Sequence, residues 1–387
     1  MLMTGSPTSP VDTDLRVAFY CNLMGWPKRS GGGVRQWVLA LANGLVARGH
    51  AVDVLTEAPQ KHFVDEPLLD PRVRRIVLGR RGWFAAQRLQ RYVLDHPGVR
   101  LVSALNDFNF VAAQLKVRMG ARTHVTVTQH ENLTGEGSWR KNFNYWRITR
   151  GVRSTFNLAD AVIGVSRGVV EDLRDRFGVR EDLLHAIYNP AFSENLLEEA
   201  RAPVEHPWLR DKTHPVLLAV GRLHPVKGFD DLIAAFSRLR RHVDARLIIL
   251  GEGRVRGQLE EQVRKLGLSE VVALPGRQAS VAPWMARADL FVLSSRAEGF
   301  GNALIEAMAC GMRVVATRCP NGPSEILEDG RWGRMVPVGD HAALADAIQQ
   351  ELAAPPPDRA ALLGRARAFS LDQSLDRYLE IWRKPPR

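Results

Sequence analysis

Two glutamates eight positions apart, Glu298 and Glu306, bracket Gly299 and Gly301 in the segment LFVLSSRAEGFGNALIEAMACG, residues 290–311. An apolar run, a glycine-bearing turn and then apolar side chains at helical spacing predict strand, turn, helix. The free N–H groups of that helix's first turn, with its dipole, favour a phosphate. Glu306 lies one turn in, on the face of Asn302, and can accept hydrogen bonds from hydroxyls. Glu298 stands on the loop before the helix and faces the same space. Read alone, the stretch also fits a tight turn with two solvated glutamates.

A second constellation occurs in LAVGRLHPVKGFDDLIAAF, residues 218–236. A strand ends at Gly221, Arg222 and Lys227 lie on the loop, and Gly228 precedes a helix. Two cations beside a glycine loop suit a diphosphate, Arg222 through its planar fork and Lys227 as a point charge. Two surface charges on a turn is the alternative for this segment by itself. Both loops fall at the same edge of one sheet, which favours a ligand between them. His130 and Glu131, in VTVTQHENLT (125–134), end another predicted strand and so belong at a cleft mouth. Gly32 and Gly33, in SGGGVRQ (30–36), would let backbone approach a ligand closely. That turn, with Glu57 after the next strand, does not have the G-x-G-x-x-G spacing of a nicotinamide site. GEGRVRG (251–257) misses it by one residue, so no redox cofactor is expected. Asp12 and Asp14 form a D-x-D in a polar leader and are read as chance, leaving no metal site.

These residues need elements to hold them. Apolar runs alternate with helical patterns from LRVAFYCN onward, which predicts parallel sheets covered by helices. The alternation breaks at RAPVEHPWLRDKTHP and restarts at PVLLAVG. The expected layout is an α/β protein of two doubly wound, Rossmann-like domains facing across a cleft. Residues 1–14 form a leader, 15–198 the first domain, 199–214 a linker, 215–365 the second domain and 366–387 a final helix.

The 387 residues are 45% hydrophobic and 25% charged, as in globular proteins. Three cysteines are too few for a disulfide framework or a structural zinc site. The net charge is +11, and residues 71–153 alone hold 16 Lys and Arg against four Asp and Glu. No apolar run approaches a bilayer span and the opening residues lack a signal-like core, so a cytoplasmic protein is expected.

Taken together, the motifs resemble the retaining glycosyltransferases of family 4, which have the GT-B fold. EGFGNALIE is similar to that family's E-x7-E motif, VGRLHPVKG to its donor-phosphate loop, and GGGVRQWVLALANGLVARGHAVDVLT to its first βαβ unit. ADAVIGVSRGVVEDL, RCPNGPSEIL and ARAFSLDQSLDRYLEIW extend the match across nearly the whole chain. The resemblance implies a nucleotide-diphosphate sugar, a UDP-sugar for preference, as donor. Glu306 would bind the ribose, and Gly299, Phe300 and the backbone N–H groups of Gly301, Asn302 and Ala303 would line the donor site with Gly32 and Gly33. Arg222 and Lys227 would hold the diphosphate, Glu298 and His130 would address the sugar, and backbone near Gly276 and Arg277 the base. The final helix would cross back to the first domain. No cofactor or metal is implied if the two cations serve. Arg35, where many members carry an acid, departs from the pattern. Asn189–Pro190, with CPNGPSEIL, is similar to the branch that builds surface polysaccharides and lipid-linked oligosaccharides, so the acceptor would be a saccharide or a lipid-linked one.

A sugar-nucleotide epimerase of the same fold is an alternative enzyme. Nucleic-acid binding by the basic region is an alternative of another class, but no recognised nucleic-acid motif occurs there. An anionic membrane surface suits the region better. Trp139, Phe143 and Trp146 recur at helical spacing among Arg140, Lys141 and Arg147, which predicts a helix docked peripherally on the inner face of the cell membrane.

Overall fold

The computed structural model describes residues 15–21, 33–57, 68–79, 82–131, 133 and 143–387. Gly32, Trp139, Arg140, Lys141, Asp12 and Asp14 lie outside them.

Two parallel sheets are built among the described residues, and the two Rossmann-like domains are as expected. The first contains β1 (Arg16–Tyr20), β2 (Ala51–Thr56), β3 (Arg74–Val77), β4 (Val99–Ala104), β5 (Thr123–Gln129), β6 (Ala161–Gly164) and β7 (Leu184–Ala186), in the order 3-2-1-4-5-6-7. The second contains β8 (Val216–Val220), β9 (Arg246–Leu250), β10 (Val272–Gly276), β11 (Leu290–Leu293), β12 (Arg313–Thr317) and β13 (Arg334–Val336), in the order 10-9-8-11-12-13. The strands are near-continuous apolar runs because both faces are covered. Val17 to Tyr20 and Leu217 to Ala219, for example, have no exposed surface.

In each sheet the strand order reverses once, between β1 and β4 and between β8 and β11. Chain connections diverge at such a point and leave a crevice beyond the strands' carboxyl ends. Since β8 and β11 are hydrogen-bonded neighbours, the loops carrying Arg222, Lys227 and Glu298 must emerge side by side. His130 directly follows β5 at the corresponding edge of the first sheet.

The last helix, Leu371–Trp382, packs on the first domain as expected. Trp382 is fully buried and its indole N–H donates to Thr126 Oγ1 at 3.1 Å. Arg48 pairs with Asp372 at 2.6 Å and with Asp376 at 2.5 Å. Gly44 admits the helix, since a Cβ there would meet Leu375 at 2.7 Å.

Candidate active site

The donor-side loop is shaped by two glycines with different tasks. Gly301 caps the helix Asn302–Ala309 with φ 106°, a left-handed conformation costly for any residue with a Cβ. Gly299 passes so close to the first domain that a Cβ there would lie 2.0 Å from the His130 carbonyl oxygen. No side chain caps the helix, so its first-turn N–H groups face the crevice without a side-chain partner. Asn302 receives a hydrogen bond from Asn189 of the first domain at 3.2 Å. Gly33, which opens the helix Gly33–Ala47, lies nearby: a Cβ built on it would be 3.7 Å from Asn302 Nδ2. Two helix N-termini thus converge across the cleft.

The loops after β8 and β11 are stitched together. Lys227 Nζ donates to Glu298 Oε1 at 2.6 Å, and the same oxygen accepts from Ser295 Oγ at 2.6 Å. Ser294 Oγ donates to the Lys227 carbonyl at 2.9 Å. The guanidinium of Arg296 spans Asp230 and Asp231 at 2.7 and 2.8 Å. Arg222 is exposed and has no carboxylate partner among the described residues. A further cation went unassigned in the sequence. Burial lowers the His224 imidazole, and Arg222, Arg254 and Lys227 add to the effect, so Arg254 belongs to this positive cluster. Its signal was GEGRVRG, considered above only as a dinucleotide motif.

Glu306 is half-buried on the donor helix, and its carboxyl has no hydrogen-bond partner among the described residues. Burial, followed by the charge of Glu199, pushes that carboxyl up to about 7. Arg277 is exposed just past β10, beside Gly276.

His130 is half-buried where the first domain meets the donor loop. Nε2 lies 3.0 Å from Thr128 Oγ1, Nδ1 is enclosed without a partner among the described residues, and Trp37 packs edge-on at 4.7 Å. Burial holds the imidazole down to about 3, so it is neutral at neutral pH. Its main chain is what meets the donor loop. Glu57, at the end of β2, accepts a hydrogen bond from the Tyr20 hydroxyl.

The basic helix buries a face other than the one that carries Trp146. The helix runs Phe143–Thr155 and turns Ile148 and Val152 inward, with Gly151 against Phe110. Trp146 is 60% exposed, with Arg150 over its ring at 5.5 Å. Arg147 pairs with Asp107 at 2.6 Å. Trp83 and Phe84, which the sequence reading passed over, are 67% and 69% exposed at the start of the helix Trp83–Asp95.

Comparison with known proteins fits this geometry. Residues 31–191 match the family described as Glycosyltransferase Family 4, and residues 214–354 match Glycosyl transferases group 1. The chain carries a Glycosyltransferase Family 4 domain followed by a Glycosyl transferases group 1 domain. Among curated proteins it is 31% identical, over 64% of its length, to the N-acetylgalactosamine-N,N'-diacetylbacillosaminyl-diphospho-undecaprenol 4-alpha-N-acetylgalactosaminyltransferase of Campylobacter jejuni. It is 34% identical, over 52% of its length, to the lipopolysaccharide core biosynthesis glycosyltransferase LpsE of Rhizobium meliloti. The alignments span 65% and 56% of those relatives. Among solved structures, Anabaena HepE in complex with UDP and glucose superposes with a TM-score of 0.75 at 21% identity, covering 95% of this chain and 98% of that one. This likeness shows that the family's two-domain GT-B fold is shared.

Proposed function

We propose that this protein transfers a sugar, with retention of configuration, from a nucleotide-diphosphate sugar to a saccharide or lipid-linked acceptor of cell-surface glycan synthesis. The observation that carries the reading is the donor helix, which starts without a side-chain cap just after the loop where Lys227 meets Glu298 and carries Glu306 one turn in. UDP is the favoured nucleotide, supported by the UDP bound to HepE.

In this reading the diphosphate lies against the first-turn N–H groups of Gly301, Asn302 and Ala303, and Arg222, Lys227 and Arg254 meet its charge. Lys227 exchanges Glu298 for phosphate when the donor enters, which frees the Glu298 carboxylate for the sugar. Glu306 takes the ribose hydroxyls. As the bond from the anomeric carbon to the phosphate oxygen breaks, negative charge grows on the leaving group. Fixed cations and N–H dipoles aimed there lower the barrier. The acceptor hydroxyl attacks from the same face, and its proton passes to the departing phosphate oxygen. His130, neutral and enclosed, contributes position rather than a proton. The product should keep the donor's anomeric configuration, and NMR of the first product formed is the check. An inverted anomer would overturn the mechanism, and donor turnover without acceptor would favour the epimerase alternative.

A lipid-linked acceptor would give the exposed aromatics a purpose. Among the described residues no helix is long and apolar enough to cross a membrane. Helices Trp83–Asp95 and Phe143–Thr155 both pack on Asn106–Met119, and the exposed Trp83, Phe84 and Trp146 all lie near the starts of their helices. Aromatic rings among headgroups with arginines near lipid phosphates suit an anionic bilayer surface, at about 1 kcal/mol per basic residue. The protein should co-sediment with anionic vesicles at low salt and be released at high salt. A folded Trp83→Ala/Phe84→Ala/Trp146→Ala variant that bound equally well would end the idea.

A further inference from the structure

A carboxylate of the second domain is bonded to a helix of the first. The 11-residue helix Arg167–Phe177 begins with two backbone N–H groups directed at Glu325: Arg167 N donates to Oε2 at 2.9 Å and Gly168 N to Oε1 at 3.1 Å. Charge-assisted bonds at a helix N-terminus are among the stronger contacts available to a carboxylate. The phenol of Tyr188, also from the first domain, lies near enough to Glu325 to feel its charge. Burial first, and then the Glu325 charge, hold that phenol above its ordinary value, so it remains a donor.

Glu325 is held from behind within its own domain. Arg365 donates to the carbonyls of Glu325 at 2.6 Å and Ile326 at 2.9 Å, and pairs with Glu328 at 3.1 Å.

The same segment supports the donor loop. Asn321 lies in the left-handed region at φ 71°, and its Nδ2 donates to the Glu298 carbonyl at 3.4 Å. At Gly322 a Cβ would come within 1.6 Å of the Phe300 carbonyl oxygen, so the two loops touch backbone to backbone. The ring of Phe300 stacks on Tyr188 at 5.1 Å and 13°. Asn321 packs equally hard on the first domain, since a Cβ on Gly168 would meet its Oδ1 at 2.4 Å and its Cα at 3.0 Å. Residues 321–325 are therefore wedged between the Arg167–Phe177 helix and the loop carrying Glu298 to Gly301.

We propose that Glu325 is a positioning residue that clasps the two domains and so fixes the donor loop against His130 and the helix Asn302–Ala309 in its binding posture. Its link to donor binding rests on the function proposed above, whereas the clasp itself does not.

The test separates the two. Spin labels on exposed residues of each domain, through Arg118→Cys and Lys265→Cys, report the interdomain distance without any ligand. Glu325→Ala should lengthen and broaden that distribution, with Glu325→Gln in between, because an amide retains one acceptor and loses the charge. UDP affinity, read by calorimetry, should fall roughly tenfold in Glu325→Ala, the size of losing one strong helix cap that held the competent state. If that variant fails to fold, Gly168→Ala serves instead. Alanine ordinarily favours a helix over glycine, yet here its Cβ would push Asn321 away and open the domains. Wild-type distances in a folded Glu325→Ala, or in Gly168→Ala, would overturn the clasp. Altered distances with no UDP binding in the wild type would leave the clasp standing and overturn the function.

Discussion

Lys227→Ala is expected to lower turnover roughly a hundredfold at saturating donor, the usual size for removing one stabiliser of a leaving group's charge. The reason lies in when the charge is needed. Before the donor enters, Lys227 has a partner in Glu298 at 2.6 Å, so the gain from contacting phosphate is partly offset by the pair it gives up. As the phosphate becomes more negative the balance shifts, and the benefit falls mainly on the transition state. Donor binding should therefore weaken less than turnover. Arg222→Ala should show the same bias, with a larger effect on binding because Arg222 has no competing carboxylate among the described residues. Steady-state kinetics with separately measured donor affinity are the check. Near wild-type turnover in both variants would refute the placement of the diphosphate.

Glu306 should make both donor affinity and fold stability depend on pH, in opposite directions. Its carboxyl titrates at about 7 in the folded protein against an ordinary 4.5, chiefly because it is buried. Ribose hydroxyls bond best to the ionised form, so donor affinity should drop as pH falls below about 7. For stability the sign is reversed. The folded state binds the proton more tightly than the unfolded one, so stability declines as pH rises between the two values, and the full cost is present above the folded one. Glu306→Gln carries no such charge. It should match wild type near pH 4 and exceed it near pH 8 by up to about 3 kcal/mol, less the share that solvent at the cleft screens. Its donor affinity should be weaker and flat with pH. Chemical denaturation and calorimetric titration at the two pH values measure both effects. A wild type whose stability rises across that interval while Glu306→Gln stays level would contradict the assignment.

The sequence alone determined the two parallel sheets and the segments bearing the site, because both follow from local patterns. Buried parallel strands are apolar on both faces, and helices repeat their apolar face every three or four residues, so alternation along the chain reads directly as architecture. Gly299 and Gly301 were visible as a turn, and Arg222, Lys227 and Glu298 could be assigned to one sheet edge before any coordinates. Local pattern says nothing about how side chains of separate segments meet. The Lys227 contact with Glu298 depends on β8 and β11 being neighbours at the point where the strand order reverses. The elevated titration of Glu306 depends on packing density around it and on Glu199, 107 positions earlier in the chain. His130 was legible as a cleft residue, while the packing of Trp37 on its ring brings in a helix far away along the chain. The basic helix was legible as amphipathic, yet its period could not tell which face Phe110 would claim through Gly151. Glu325 looked like one more polar residue in RCPNGPSEIL, and only the tertiary structure brings it to the helix Arg167–Phe177. Periodicity is set by each element's own geometry, whereas partners are set by long-range packing, in which residues distant along the chain compete for the same space.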